Sequence, residues 1–207
     1  MSRAFRVGVL VSGDGTNLQA LLDTVHGREG IEVAAVAASA PGIRALERAA
    51  DAKVESGVFA AAAFADRGVR DEALAGWLAA REIDLVVLAG WMELLSPVFL
   101  RRFPDAVVNV HPALLPAFPG LRAVEQALDY GVKVSGVTVH FVDDGVDSGP
   151  IILQRAVELS EAHDAEEVLE LLHPVEHELL PEAVWLIARG AVRRDPAHPR
   201  RVLVDPR

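Results

Sequence analysis

The sequence has no cysteine and fewer basic than acidic residues. Without cysteine the chain can form no disulfide, thiol nucleophile or thiolate metal site. Its 20 Lys and Arg against 30 Asp and Glu give a formal net charge of -10, whereas a nucleic-acid-binding surface needs a basic excess. Its N-terminal apolar run is too short for a signal peptide, and no run reaches the roughly 18 residues of a membrane helix. We therefore expect a cytoplasmic protein that binds neither nucleic acid nor membrane.

Short β-like runs alternate with longer helical patterns along the first two thirds of the chain. The chain has 207 residues, of which 51% are hydrophobic, enough for one buried core and little more. Such alternation predicts right-handed crossovers and a parallel sheet that is covered on both faces. The β-like runs cover residues 5–11, 31–37, 83–89 and 106–110, and the helical patterns cover residues 17–26, 43–50, 66–81 and 124–130.

The remaining third has a different pattern. Residues 134–142 and 151–159 are β-rich runs that no helix separates, which predicts an antiparallel pair. Asp164, with Glu167 three residues later, predicts the start of a helix that continues to about residue 188, and two prolines inside it are expected to kink it. We predict a single α/β, Rossmann-like domain over residues 1–189. Residues 190–207 form a surface extension of that domain, with a short strand expected at 202–204.

The turn SGDGTN follows the first predicted strand. Gly15, Thr16 and Asn17 open the next helix, whose free backbone N–H groups and dipole favour an anion such as a phosphate. A plain flexible turn is the alternative. Leu18 replaces the third glycine of GxGxxG, and no GK[ST] ending follows, so neither a dinucleotide site nor an ATP site is expected.

The stretch NVHPALLP ends the fourth β-like run with polar residues. Proline lacks a ladder donor, so strand pairing should stop near Pro112. This places Asn109 and His111 near the carboxyl end of a strand, where ligands bind in open α/β sheets. A single histidine is more often structural, so this pattern leaves both roles open.

A second polar stretch, HFVDDGVDSGPII, lies between the two final β-rich runs. It carries Asp147 in a glycine-rich loop, where a solvated turn is the simpler interpretation. A carboxylate close to His111 would raise the pKa of that histidine above about 6.5 and hold it as an acid. His140, a secondary candidate, alternates with apolar neighbours and faces either the site or a polar environment around it.

The sequence contains neither the HExxH metal-binding motif nor the motif of a serine hydrolase. His173 and His177 have the i, i+4 spacing of HExxH, but a proline occupies the position of the first glutamate, so no metal is expected. No GxSxG elbow is present, which argues against a serine hydrolase.

Together these motifs resemble the phosphoribosylglycinamide formyltransferase family of folate-dependent purine-synthesis enzymes. The matching segments are VLVSGDGTNLQALL, VVLAGWMELLSP, NVHPALLPAFPGL, VTVHFVDDGVDSGPIILQ and VEHELLP, and they span residues 9–181. The resemblance implies that 10-formyltetrahydrofolate, as co-substrate, donates its formyl group to the amine of glycinamide ribonucleotide without a metal. It also implies small-molecule substrates and a monomer or homodimer.

The resemblance also implies roles for individual residues. The phosphate turn falls on Gly15, Thr16 and Asn17, and the ribose contact falls on Glu176. The catalytic trio is Asn109, His111 and Asp147, in which Asp147 keeps His111 protonated. The folate contacts are Arg67, Met92, Glu93, Leu94, Leu95 and Asn109.

Some positions depart from the family pattern. Arg122 and Val124 replace two histidines of many relatives, Glu93 replaces an arginine of some, and Ala38-Ser39-Ala40 lacks a common Ser-Asn pair. Methionyl-tRNA formyltransferase and formyltetrahydrofolate deformylase share the trio but carry additional domains, for which this chain is expected to have no room. A phosphate-ligand sensor without catalysis is the remaining alternative.

Overall fold

The computed structural model describes residues 3–159 and 162–205. Its strands are β1 (Phe5–Val11), β2 (Ile31–Ala38), β3 (Glu55–Val58), β4 (Leu85–Leu88), β5 (Val107–His111), β6 (Val134–Phe141), β7 (Ile151–Glu158), β8 (Val192–Arg194) and β9 (Val202–Val204). Its helices are α1 (Thr16–Thr24), α2 (Arg44–Asp51), α3 (Arg67–Ala79), α4 (Pro97–Arg102), α5 (Ala123–Tyr130) and α6 (Ala165–Ala188), with a short 3-10 turn at Ala61–Ala63.

Seven strands form one sheet in the order β3-β2-β1-β4-β5-β6-β7. β1 pairs in parallel with β2 and with β4, and β2 pairs in parallel with β3. β6 and β7 are antiparallel. The predicted α/β fold, a mostly parallel sheet with an antiparallel C-terminal part, is confirmed.

The chain divides into two compact units, residues 1–108 and 109–207. In the first unit β1 lies between β2 and β4, and the side chains of Val9, Leu10 and Val11 are fully buried. An apolar, β-branched run suits a strand whose two faces are both covered. Among the described residues, none of the helices is both long and apolar enough to cross a membrane.

The second unit contains the antiparallel pair and the longest helix, α6, which packs on β6 and β7. Asp164 is the N-cap of α6, and its carboxylate accepts from the backbone N–H of Glu167 at 3.0 Å. The Glu167 carboxylate in turn accepts from the backbone N–H of His163 at 2.6 Å. The predicted helix start is therefore confirmed, because these side chains satisfy amides that the first turn leaves unpaired.

The C-terminal tail contains strands β8 and β9, which pair as an antiparallel two-stranded sheet. The strand expected at residues 202–204 is present. The boundary at residue 189 between domain and extension stays a prediction.

Two elements, β3 and α4, were not predicted from the sequence. β3 has the sequence ESGV, lies at the sheet edge and is largely exposed, so it lacks an apolar run. α4 has six residues and begins with Pro97 directly after its N-cap Ser96. Its length is less than two turns, too short to show helical periodicity.

Two glycines should respond to the same substitution in opposite directions. Gly76 lies in α3 with nothing within 4 Å of an added Cβ, whereas a Cβ on Gly136 in β6 would lie 2.2 Å from the Arg155 carbonyl oxygen and 2.7 Å from Leu114 Cδ2. Gly76→Ala should raise the free energy of unfolding by about 0.5–1 kcal/mol. Gly136→Ala should lower it by about 2 kcal/mol or more. Urea unfolding of both variants measures the difference, and equal shifts would contradict this packing.

Candidate functional site

The structure brings Asn109, His111, His140 and Asp147 into one cluster. Asn109 and His111 are separated by one residue in β5, so they lie on the same face of that strand. Asp147 comes from the loop between β6 and β7, and His140 lies near the end of β6. Proline at position 112 follows β5 directly, as predicted, and leaves the polar residues at the end of the strand.

Asp147 is the centre of this cluster. One of its carboxylate oxygens, Oδ2, accepts from the Gly120 backbone N–H at 2.7 Å and lies 3.4 Å from His111 Nδ1. Its other oxygen, Oδ1, lies 3.4 Å from Asn109 Nδ2 and 3.6 Å from His140 Nε2. Burial raises the pKa of Asp147, but His140, His111 and the Gly120 N–H together outweigh burial and lower it to about 2. The carboxylate is therefore charged at neutral pH.

His111 is 5% exposed, and its surroundings set its charge. Its Nε2 lies 2.8 Å from the Phe118 carbonyl oxygen, which can only accept, so this nitrogen carries a hydrogen. Burial lowers the pKa of His111 below its usual 6.5, although the Asp147 charge and the Phe118 carbonyl favour the charged ring. The prediction that His111 titrates above 6.5 is therefore wrong: Asp147 does raise the pKa of His111, but removal of the ring from water lowers it by more.

His140 contacts Asn109 and Asp147 directly, which decides between the two environments left open by the sequence. It is 2% exposed, and its Nδ1 lies 2.8 Å from the Phe141 carbonyl oxygen. This nitrogen must donate, so in the neutral ring Nε2 is the acceptor. Asn109 Nδ2 lies 3.3 Å from that acceptor. His140 therefore orients the Asn109 amide with its N–H groups towards His140 and Asp147.

The glycine turn starts helix α1 with Gly15 as the N-cap. Gly15 has φ +76°, and an added Cβ would lie 2.7 Å from Ala45 Cβ, so both conformation and space require glycine. Asp14 next to it would oppose an anion. Its carboxylate is paired with Arg48 at 2.8 Å and lies 3.6 Å from Arg44. Thr16 and Asn17 are the first residues of the helix, and a helix start of this kind favours an anion.

Three of the residues implied to contact folate line a cavity of about 440 Å³. These are Arg67, Glu93 and Leu94, together with residues 61, 64–66 and 70. Met92 and Leu95 are not among the lining residues. The Met92 backbone N–H instead donates to Ser12 Oγ at 3.0 Å.

Arg70, which lines this cavity, and its partner Asp71 were not predicted from the sequence. Arg70 is 1% exposed and donates to Asp71 Oδ1 from Nε at 2.9 Å and from Nη2 at 2.8 Å. Arg70 also contacts the Glu93 carboxylate, while Asp71 Oδ2 accepts from the Ser96 backbone N–H at 2.5 Å. The sequence signal for Arg70 is its one-turn spacing from Arg67, which places both arginines on one side of α3.

The structure also places the residue implied to contact the ribose and the positions that depart from the family pattern. Glu176 is buried on α6, at 5% exposure. Arg122 is the exposed N-cap of α5 and lies 3.5 Å from Glu125, whereas Val124 is buried. Ser39 Oγ donates to Ser12 Oγ at 2.8 Å. Within residues 3–159 and 162–205, no group of three or more His, Cys, Asp or Glu side chains could hold a metal ion.

We predict that His111 titrates below pH 6.5 and that Asp147→Asn lowers its pKa further, because the substitution removes a negative charge that favours the imidazolium. Histidine NMR on both proteins measures this. Asp144→Asn is the matched control, an exposed aspartate in the same loop. A His111 pKa above 6.5 would contradict the dominance of burial.

The same pKa shifts determine how stability depends on pH. Because His111 binds a proton less readily when folded, the free energy of unfolding should fall as the pH drops below about 6.5. Asp147 adds stability above its unfolded pKa of about 3.8, and this contribution is lost as the pH falls towards 2.

Comparison with known proteins gives consistent matches. A family described as "Formyl transferase" matches residues 5–184. The chain is 43% identical over 197 residues to the "Trifunctional purine biosynthetic protein adenosine-3" of Drosophila melanogaster, covering 94% of this chain but 15% of the insect protein. It is 44% identical over 187 residues to the "Phosphoribosylglycinamide formyltransferase" of Mycobacterium tuberculosis strain H37Rv, covering 90% and 86% of the two chains.

The fold matches solved structures over almost the whole chain. A crystal structure of glycinamide ribonucleotide transformylase 1 from Symbiobacterium toebii superposes with a TM-score of 0.94 at 45% identity, covering 100% of this chain and 96% of that one. The phosphoribosylglycinamide formyltransferase of Anaplasma phagocytophilum gives a TM-score of 0.89 at 33% identity, with coverage of 98% and 95%.

Proposed function

The chain belongs to the formyl transferase family, and from this we propose that it transfers the formyl group of 10-formyltetrahydrofolate to the amine of glycinamide ribonucleotide in purine biosynthesis. The observation that carries the proposal is the cluster of Asn109 and Asp147, both partly buried, with the buried His111. Relatives of nearly the same length, named phosphoribosylglycinamide formyltransferase, support the choice of substrates.

The reaction exchanges one carbon–nitrogen bond for another. The amine nitrogen of the ribonucleotide attacks the formyl carbon, the formyl oxygen gains negative charge, and the bond from the carbon to the folate nitrogen then breaks. One proton leaves the attacking amine and one is needed on the departing folate nitrogen. The site must therefore stabilise an oxyanion and move a proton.

Asn109 is proposed to stabilise the oxyanion. Its Nδ2 contacts at 3.3 and 3.4 Å are long for hydrogen bonds, so a formyl oxygen that gains charge can replace one of them. Because His140 accepts one N–H of the amide, the orientation of Asn109 is set before substrate binds. Such preorganised donors contribute most where charge develops in the transition state.

His111 and Asp147 are proposed to move the proton as a pair. With its pKa near 2, Asp147 is too weak a base to act alone at neutral pH. The lowered pKa of His111 leaves the ring neutral and able to accept a proton at Nδ1, the atom that lies 3.4 Å from Asp147 Oδ2. The carboxylate stabilises the resulting imidazolium, which then returns the proton to the folate nitrogen.

The helix start at Thr16 is proposed to bind the ribonucleotide phosphate. Its support is the helix start itself, where first-turn N–H groups and the dipole of α1 favour an anion, and the pairing of the neighbouring Asp14 carboxylate with arginine. Gly15 and Asn17 complete this proposed turn, and Glu176 is proposed to contact the ribose.

The cavity beside α3 is proposed to bind folate. Arg67 supplies a cation at its wall, and Leu94 supplies apolar surface. The Arg70–Asp71 pair supports the strand-end segment that carries Met92, Glu93, Leu94 and Leu95, since it bonds to Ser96 and contacts Glu93. Glu93 is therefore occupied with Arg70, which is consistent with folate being held in this segment by backbone groups.

Several further assignments stay predictions. These are a cytoplasmic location, a monomer or homodimer, and small molecules as the only partners, without nucleic acid or a metal. A phosphate-ligand sensor is the competing function, and the turnover assay below separates it from the enzyme.

The purified protein should transfer formyl from 10-formyltetrahydrofolate to glycinamide ribonucleotide, and His111→Ala and Asp147→Asn should each lower kcat by about 100-fold or more. Because the two residues act as a unit, the double variant should be little slower than the slower single variant. Steady-state kinetics and ribonucleotide titrations measure both effects. Asp144→Asn is the control for the loss of a loop carboxylate.

No turnover by the folded wild type would reject the transferase. Strictly additive losses in the double variant would instead reject only the proposed pair, and would leave His111 as a buried polar residue.

Two substitutions should separate the binding sites of the two substrates. Thr16→Asp places a negative charge at the helix start and should weaken ribonucleotide binding by at least about tenfold through repulsion of the phosphate. Arg67→Ala should weaken binding of a non-transferring folate analogue by about tenfold, because it removes a charged hydrogen-bond donor. Calorimetric titration of both variants with both ligands makes each variant the control for the other. Equal losses for both ligands would contradict the assignment.

A further inference from the structure

The C-terminal tail is a defined hairpin. Pairing of β8 with β9 brings Arg194 opposite Val202. The connecting loop closes through the Asp195 N–H, which donates to the Arg201 carbonyl oxygen at 2.9 Å, and the Arg201 N–H, which donates to the His198 carbonyl oxygen at 2.7 Å. This loop therefore presents its side chains from a fixed backbone.

Two arginines of the hairpin contact the segment that carries Asp147. Arg200 Nη2 donates to the Ser148 carbonyl oxygen at 2.6 Å, directly after Asp147 in the chain. The guanidinium of Arg194 lies 5.3 Å from the ring centre of Phe141, the last residue of β6. β9 also packs against β7. The hairpin thus contacts the chain on both sides of Asp147, at the end of β6 and within the β6–β7 loop.

The loop needs such support because Asp147 has φ +47°, in the left-handed region that few non-glycine residues occupy. Within the loop, Asp143 Oδ1 accepts from Ser148 Oγ at 2.6 Å and from the Gly145 N–H at 3.1 Å. These bonds hold the side chain of Ser148, whereas its carbonyl is held by Arg200. A backbone in a sparsely populated conformation persists only where its surroundings specify it.

We propose that the C-terminal hairpin is a brace for the catalytic loop, in which Arg200 is a positioning residue that holds Asp147 through the Ser148 carbonyl. Arg200 donates to the backbone carbonyl of Ser148 and acts on Asp147 through that backbone. The consequence for kcat rests on the proposed formyl transfer, whereas the positioning of the carboxylate does not.

The test compares Arg200→Ala, Arg200→Lys and Arg201→Ala. Arg200→Ala should lower kcat by about two- to tenfold, the effect of losing one hydrogen bond, with the KM of both substrates unchanged. The pKa of the Asp147 carboxyl, followed by carboxyl-carbon NMR, should rise from about 2 towards 3.8 as its donors are lost. Arg200→Lys keeps a donor and should restore most of both properties. Arg201→Ala, the adjacent exposed arginine, should resemble the wild type.

The NMR result decides the brace independently of the enzyme assay. An unchanged Asp147 titration in Arg200→Ala would overturn the proposal, whether or not kcat or thermal stability falls. If the Asp147 titration shifts in Arg200→Ala and the wild type shows no formyl transfer, the brace is supported and the proposed function is rejected. Equal shifts in Arg200→Ala and Arg201→Ala would also overturn it, since the effect would then follow surface charge and not the Ser148 bond.

Discussion

The partly buried carboxylate of Asp147 is the constraint on which the cluster around it depends. Burying a charge costs several kcal/mol unless donors replace the lost water. Here the donors come from the Gly120 backbone and from the polar side chains around Asp147. A pKa of about 2 shows that these partners outweigh burial. Each segment that supplies a donor must therefore keep its position, including the loop after β5 and the end of β6.

The same burial has the opposite effect on His111. A carboxylate at 3.4 Å and a carbonyl at 2.8 Å both favour the imidazolium, yet removal of the ring from water dominates and lowers the pKa. The pKa of Asp147 is about 2, and that of His111 lies below 6.5. Such neighbouring groups with different pKa values are typical of sites where a proton is accepted and then returned. In the proposed transfer, a permanently charged His111 could stabilise an oxyanion but could not accept the amine proton.

Departures from the family pattern have local structural explanations. Glu93 contacts Arg70, a buried cation that Asp71 also binds, so the acidic side chain has a partner in the cavity wall. Arg122 and Val124 occupy the start of α5, one as its exposed N-cap and the other as a buried residue. At these positions the side chains serve helix formation and packing. The proposed chemistry relies on none of the three.

Local patterns in the sequence were enough to predict the alternating α/β order, the strand-turn-helix at Gly15, the position of His111 at a strand end and the capped start of α6. Apolar periodicity, proline and capping residues act between residues that are close in sequence, so these features can be predicted without the fold. The sequence did not reveal β3 and α4, which are too short or too polar for such patterns. Only the tertiary structure brought His140 to Asn109, paired Arg70 with Glu93 and lowered the pKa of His111. Those properties depend on segments distant in sequence and on loss of solvent, and neither desolvation nor long-range contact is encoded in local spacing.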